Sequence, residues 1–307
     1  MSKRVTVFAP ASVGNLGPGF DVLGMALAGM GDTLTAEHRP EPGVFIKKIT
    51  GDKGQLPTQA SENTAGIAAQ AVLDYLKIKA GISITLHKDI PGTGLGSSAA
   101  SAVAGAYAAN RFFGSPLTKT ELIPFAAAAE ERVSGALFLD NVGPSLMGGV
   151  TWSNPFKKEV VLLGAIETAT IIIATPDFRV LTKDARRVLP PSVPMADFIS
   201  NVAHAAMISW AVAKQDLERF GRAVQDRMAE PARAPLIKGF DDVKKAALSE
   251  GALGCSISGA GSTIFAVSDN KILAEKVAQA MKTCFADHGI RAQTRITTMD
   301  LKGARII

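Results

Sequence analysis

The sequence predicts a mixed α and β protein built as two domains, and three observations carry that prediction. The chain has 307 residues, and about 100–200 residues make a domain. Segments with the strand pattern alternate with segments with the helix pattern in both halves, which places helices on sheets rather than in a bundle. The pattern also restarts near residue 165, so the expected domains are 1–165 and 166–307. Hydrophobic residues at 47% and charged residues at 20% sit near the globular average and exclude disorder as the main state.

In chain order, residues 4–9 have the β-branched content of a strand, which Pro10 is expected to end. The stretch from Pro10 to Asp21 holds three Gly and two Pro. It cannot be regular helix and is expected as an irregular loop presenting Ser12, Asn15 and Asp21. Residues 32–50 alternate loosely around a Pro40-Glu41-Pro42 turn, and Asn63-Thr64 precede an Ala-rich helix over 65–77. Residues 81–88 alternate cleanly, with Ile82, Ile84 and Leu86 on one face and Ser83, Thr85 and His87 on the other. Helices are expected over 97–113 and 120–134, a second glycine-rich break over 144–150, and strands at 150–152 and 160–163. The second half reads as a strand at 170–174, helices over 196–214 and 216–228, a strand at 263–267, a helix over 271–287 and a closing strand at 292–297.

Composition removes several function classes. Lys+Arg at 33 against Asp+Glu at 28 gives +5, a surplus that suits an anionic small molecule. No run of five basic residues occurs and the aromatics do not interleave with basic residues, so nucleic acid is not the expected partner. The two cysteines, Cys255 and Cys284, and the four histidines, 38, 87, 204 and 288, have no metal-ligand or nucleophile spacing. Two thiols without a signal-peptide pattern fit a reducing cytoplasm, and no apolar run reaches the ~18 residues of a membrane helix.

The strongest signal is Pro91-Gly92-Thr93-Gly94-Leu95-Gly96-Ser97-Ser98-Ala99-Ala100-Ser101, placed after a strand and opening a helix. Glycines at alternate positions let backbone N–H groups crowd a ligand, and the following helix start favours phosphate through its free N–H groups and dipole. Ser97 could alternatively serve only as the helix cap. The loop is not a dinucleotide fingerprint, because Ser97 stands where that motif's third Gly belongs. Nor is it a P-loop, because no Lys follows Gly96, and the protein-kinase set is missing.

This segment resembles the P-x-G-x-G-L-G-S-S-A motif of the GHMP kinases, the galacto-, homoserine, mevalonate and phosphomevalonate kinase superfamily. Pro10 to Asp21, with Phe20 and Val22-Leu23-Gly24, is similar to the N-terminal motif of homoserine kinases in particular. Gly254 to Phe265 is similar to the superfamily's C-terminal glycine motif. Glu130 to Pro144, and Thr182 to Arg186 together with Glu230 to Arg233, also fit the homoserine kinases. Five motifs in the expected order span residues 10–265.

The resemblance implies an α+β fold of two domains, an N-terminal βαβ phosphate-loop domain and a ferredoxin-like C-terminal one. It implies ATP-dependent phosphorylation of the side-chain hydroxyl of L-homoserine in threonine biosynthesis, with ATP and Mg²⁺; a homodimer is compatible with it. Residues 91–101 would bind the nucleotide, with Asn63 facing the nucleoside and Thr182 a candidate neighbour. Glu130 and Ser98 would hold Mg²⁺, a set that suffices because Mg²⁺ takes one or two carboxylates plus phosphate oxygens and water. Asn15 and Asp21 would hold the substrate ammonium, and Arg186 and Arg233 its carboxylate, which the planar guanidinium can bind at both oxygens. Asn141 would contact the reacting hydroxyl. Arg187 and Glu131, beside two of these residues, are expected as surface charges. The 254–265 motif would supply amides near the site or serve close packing. The sequence departs from the family at Phe138, where homoserine kinases often have His, which puts a hydrogen-bonding role there in doubt.

Some superfamily relatives place an Asp where Asn141 stands, and an amide cannot act as a base. Phosphoryl transfer through a loose transition state can run on positioning and charge neutralisation, so no strong protein base is expected. Two alternatives compete. Another GHMP kinase, for mevalonate, a sugar or shikimate, would have no use for Asp21 beside its substrate. A non-catalytic nucleotide- or RNA-associated module would have no use for Glu130 beside the loop.

Overall fold

The computed structural model describes residues 4–90 and 92–307; Pro91 of the glycine motif lies outside the described residues. A seven-stranded sheet comes from β1 (Arg4–Gly14), β2 (Leu23–Arg39), β3 (Gly43–Thr50), β4 (Gly81–His87), β5 (Val150–Asn154), β6 (Glu159–Gly164) and, from the far end of the sequence, β11 (Arg305–Ile306). Its main path runs β11-β1-β2-β4-β3, with β5 on β2 and β6 on β5. Four helices accompany it: α1 (Thr64–Tyr75), α2 (Ser97–Phe112), α3 (Lys119–Ser134) and α4 (Leu139–Met147). Their Ala-rich faces close one core against the sheet. Gly105 of α2 lies so near α1 that a Cβ there would overlap the Ala65 carbonyl.

The second sheet is antiparallel, made of β7 (Thr170–Pro176), β8 (Gly254–Ile257), β9 (Ile264–Ser268) and β10 (Ala292–Thr298) in the order β10-β7-β9-β8. Between β7 and β8 lie α5 (Thr182–Arg187), α6 (Met195–Lys214), α7 (Leu217–Arg222), α8 (Glu230–Arg233) and α9 (Phe240–Ser249); α10 (Lys271–Asp287) joins β9 to β10. Strand, helices, strand, strand, helix, strand in that order is the ferredoxin-like arrangement. A second core, with Leu16, Leu23, Ile171 and Phe265, joins residues of both sheets, and a third packs the second sheet on α9 and α10. The change of sheet falls between Gly164 and Thr170, and the last strand returns to the first sheet.

Three local expectations need correction. Pro10 does not end β1: the register against β2 shifts between Pro10 and Ser12. A proline is tolerated at such a bulge, so the strand continues to Gly14 and carries Ser12 inward. The break expected over 144–150 begins later, because α4 accommodates Pro144 and runs to Met147. Proline 144 leaves the Asp140 carbonyl without its helical N–H partner, and β2 packs so closely there that a Cβ on Gly24 would overlap that oxygen. The helix expected over 216–228 stops at Arg222. Beyond it the Asp226 carboxylate accepts the N–H groups of Met228, Ala229 and Glu230 at 2.7, 3.1 and 2.8 Å, a local bonding pattern that competes with helix.

Candidate active site

The glycine loop links β4 to α2 and is held from both sheets. Gly94 and Gly96 have φ of +92° and +61°, backbone that glycine adopts without strain. A Cβ on Gly96 would overlap the Ser12 hydroxyl, and one on Gly94 the Ser258 carbonyl. The Ser12 N–H donates to the Leu95 carbonyl at 3.1 Å and the Thr263 N–H to that of Thr93 at 3.0 Å. The Ser258 hydroxyl donates to the Gly94 carbonyl at 2.7 Å. With these carbonyls tied back, the helix start is left to a ligand. Gly96, not Ser97, is the N-cap of α2, and no side chain caps it; the Ser97 hydroxyl donates instead to the Ile90 carbonyl at 3.0 Å. Leu95, Ala99 and Ala100 are buried and contribute packing, while Thr93 is held by the Thr263 hydroxyl at 3.2 Å.

Two cavities meet at this loop. The larger, about 1220 Å³, and the smaller, about 160 Å³, share Gly92, Ser97 and Ser98 in their walls. The smaller one gathers Asn15, Asp21, Asn141, Arg186 and Arg233, with Glu130 and Gly94 and Gly96 of the loop. Residues as far apart as Asn15 and Arg233, 218 positions along the chain, therefore converge. Thr182 also lines the smaller cavity, whereas Asn63 lines the larger. Asn63 is the N-cap of α1: its Oδ1 accepts the Ala65 N–H and its Nδ2 donates to the Pro57 carbonyl, both at 3.0 Å. Arg187 and Glu131 point outward into exposed ion pairs with Asp184 and Lys158.

The smaller cavity is a lattice of directed polar groups. Asn15 and Asp21 sit at φ of +68° and +56°, a region that Asn and Asp visit more readily than most side chains. The Asn15 Nδ2 donates to the Gly259 carbonyl at 3.0 Å and its Oδ1 accepts the Asp21 N–H at 3.1 Å. The Asn141 amide is fixed in orientation: Oδ1 accepts from the Ser12 hydroxyl and Nδ2 donates to Asp140 Oδ1, both at 3.1 Å. Asp140 Oδ2 accepts the Asn15 N–H at 3.0 Å. Burial, and then the Asp21 charge, push the Asp140 carboxyl up to about 7.

Arg233 reaches the site from α8, whose geometry Asp226 fixes; Asn201 of α6 donates to that Asp226 at 2.8 Å. Arg233 Nε donates to the Ala185 carbonyl at 3.1 Å and Nη1 to that of Gly259 at 2.8 Å. Glu230, in the same turn, is spent on Lys244 and on the Ser256 hydroxyl. Arg186 forms a two-point ion pair with Asp21 at 2.7 and 3.2 Å. Its guanidinium lies 5.3 Å from the Phe20 ring centre and 5.7 Å from that of Phe138, so Phe138 meets the site as an aromatic face.

Glu130 lies on α3 with 3% of its surface exposed, and its Oε1 has no hydrogen-bond partner among the described residues. Burial raises its carboxyl to about 7, while the Ser98 hydroxyl and the Lys88 charge pull the other way. Sequence reasoning missed what lies beneath the loop. There Lys88 Nζ donates to Asp32, to the Ser97 carbonyl at 2.7 Å and to the Ser101 hydroxyl at 2.7 Å. Ser101 in turn donates to Asp32 at 2.6 Å, so it braces the loop from below.

The GHMP kinases N terminal domain model matches residues 63–149 and the GHMP kinases C terminal model residues 208–287. A curated homoserine kinase from Chloroherpeton thalassium is 40% identical over 295 residues, 92% of each chain. A crystal structure of homoserine kinase from Cytophaga hutchinsonii superposes with a TM-score of 0.95 at 41% identity, covering 100% of this chain and 98% of that one. The L. major mevalonate kinase in complex with R-mevalonate, at 16% identity and a TM-score of 0.70 over 96% of this chain and 95% of that one, shares the fold. By sequence over its whole length and by fold, the chain belongs to the GHMP kinases, in the branch of the homoserine kinases.

Proposed function

We propose that this kinase transfers the γ-phosphoryl group of ATP to the side-chain hydroxyl of L-homoserine, giving O-phospho-L-homoserine and ADP on the route to threonine. The observation that carries the proposal is the meeting of two cavities at the start of α2, one large and one small and lined by both carboxylates and guanidinium groups. The larger would take the nucleotide, with its phosphates on the amides of 92–98. The smaller offers Asp21 and Asn15 to an ammonium, and Arg186 and Arg233 to a carboxylate. Two free cysteines, Cys255 among them buried, favour a reducing compartment, and we place the reaction in the cytoplasm.

Glu130 fits a divalent cation beside the phosphates. A buried carboxylate oxygen without a partner, next to a serine hydroxyl, is what a metal bound mainly through phosphate oxygens and water requires. Glu130 and Ser98 would hold Mg²⁺, which supplies charge neutralisation for the transferring phosphoryl group.

In the transfer, the substrate oxygen forms a bond to the γ-phosphorus as the bond to the β–γ bridging oxygen breaks, and the hydroxyl proton passes late to an oxygen of the transferred phosphoryl group, from which it is lost to water. Asn141 cannot take the hydroxyl proton; held by Ser12 and Asp140, it orients the oxygen, with Arg233 across the cavity. A loose transition state develops little charge on the nucleophile, so orientation does most of what a base would do. Asn141→Ala is accordingly expected to lower kcat by about 10²-fold, and Asp140→Asn by less. Near-normal turnover of Asn141→Ala with collapse of Asp140→Asn would instead make Asp140 the base. The substrate is tested by ADP release with homoserine, mevalonate, shikimate and galactose. Homoserine should be turned over well ahead of the others, and comparable turnover of mevalonate would defeat the proposal.

A further inference from the structure

Asp21 and Arg186 are each other's partners. Both guanidinium nitrogens engage both carboxylate oxygens, at 2.7 and 3.2 Å, the planar two-point geometry that makes such pairs directional. Neither side chain depends on the other for its place. The Phe20 and Phe138 rings flank Arg186, and Asn15 holds the Asp21 backbone. Arg233 differs: its hydrogen bonds run to two backbone carbonyls, so it brings a positive charge to the cavity without a paired carboxylate. The Asp21–Arg186 pair is partly open to water, with 24% and 39% of the two side chains exposed, and a pair so placed is weak enough to exchange.

Resting on the functional proposal above, we infer that the substrate enters by charge exchange: its ammonium takes Asp21 and its carboxylate takes Arg186, so that one ion pair becomes two. Selectivity follows from arithmetic rather than shape. A zwitterion replaces both partners. A ligand with only a carboxylate either parts the pair and strands Asp21 or settles for Arg233 alone. A ligand with only an ammonium strands Arg186 beside Arg233, which is worse because the two cations repel. The site therefore rejects singly charged alcohols by the ion pair they leave unreplaced, beyond the contact they lack.

The sign of a mutational effect separates this from simple contact. The ligands are homoserine, 4-hydroxybutyrate, which is homoserine without its amino group, and 3-aminopropan-1-ol, which is homoserine without its carboxylate. Binding is measured by calorimetry on the full chain. Asp21→Asn should weaken homoserine by about tenfold or more, yet tighten 4-hydroxybutyrate by about two- to fivefold, because Arg186 is no longer claimed. Arg186→Gln should likewise tighten 3-aminopropan-1-ol while weakening homoserine. In the Arg186→Gln background, Asp21→Asn should no longer tighten 4-hydroxybutyrate. Tightening that persists there would be plain relief of anion repulsion and would overturn the exchange. So would a loss of 4-hydroxybutyrate binding in Asp21→Asn. The Arg186→Gln arm stands by itself should Asp21→Asn not fold. A wild-type protein that fails to bind homoserine strikes the substrate assignment. One that binds homoserine but shows no sign reversal strikes the exchange alone.

Discussion

Glu130→Gln is expected to lower kcat by about 10²–10³-fold, the loss typical of removing one preorganised charge-stabilising group, with little change in the Kd for homoserine. The substitution keeps shape and removes the charge that would hold Mg²⁺. Calorimetry with a non-hydrolysable ATP analogue gives a readout besides turnover: the Mg²⁺-dependent part of nucleotide affinity should disappear. Equal Mg²⁺ dependence in the variant and the wild type would remove Glu130 from the metal site. Stability should report the same group. The unfolded carboxyl titrates near its ordinary 4.5 and the folded one near 7, raised by burial. Between those values the folded chain binds more protons, so its stability falls as pH rises through the window and levels off above 7. Asp140, raised in the same way, adds to the slope. Glu130→Gln should flatten it, as urea denaturation at about pH 5 and pH 8 would show.

Lys88→Met is the second large effect. Asp32 has no exposed surface, its Oδ1 has no hydrogen-bond partner among the described residues, and its charge is balanced from Lys88. Removing one partner of a buried pair costs about 3–5 kcal/mol, because the other charge stays buried and uncompensated. The Ser97 carbonyl would lose its donor at the same time, so nucleotide affinity should fall along with stability. Replacing both charges, as Lys88→Met with Asp32→Leu, should restore most of the stability but not the nucleotide affinity. A single variant as stable as the parent would refute the electrostatic account of this cluster.

Much of this was legible in the sequence, and what was not has physical reasons. The glycine loop is legible because its chemistry is local: Gly94 and Gly96 stand at positive φ within a few residues of the helix they precede. The residues proposed to bind the substrate are legible only through the five motifs, since nothing in the spacing of Asp21, Asn141, Arg186 and Arg233 announces that they meet. Lys88 left a partial signal. It continues the inward face of Ile82, Ile84 and Leu86, and a lysine in that row implies a buried partner, but the partner lies 56 residues away. Pro10 misled because a bulge absorbed it, and 223–228 misled because Asp226 drew three backbone N–H groups to itself. A register shift overrode propensity in the first stretch and a carboxylate in the second.

The threonine and serine tethers from residues 258–263 to the glycine loop bear on how the chain can be divided. A fragment cut after β6 would contain every letter of the nucleotide motif and still lack the second sheet's moorings that set its curvature. Homology matches the two halves with separate family models, whereas the shape of the glycine loop is a joint product of both, assembled only after synthesis has passed β9.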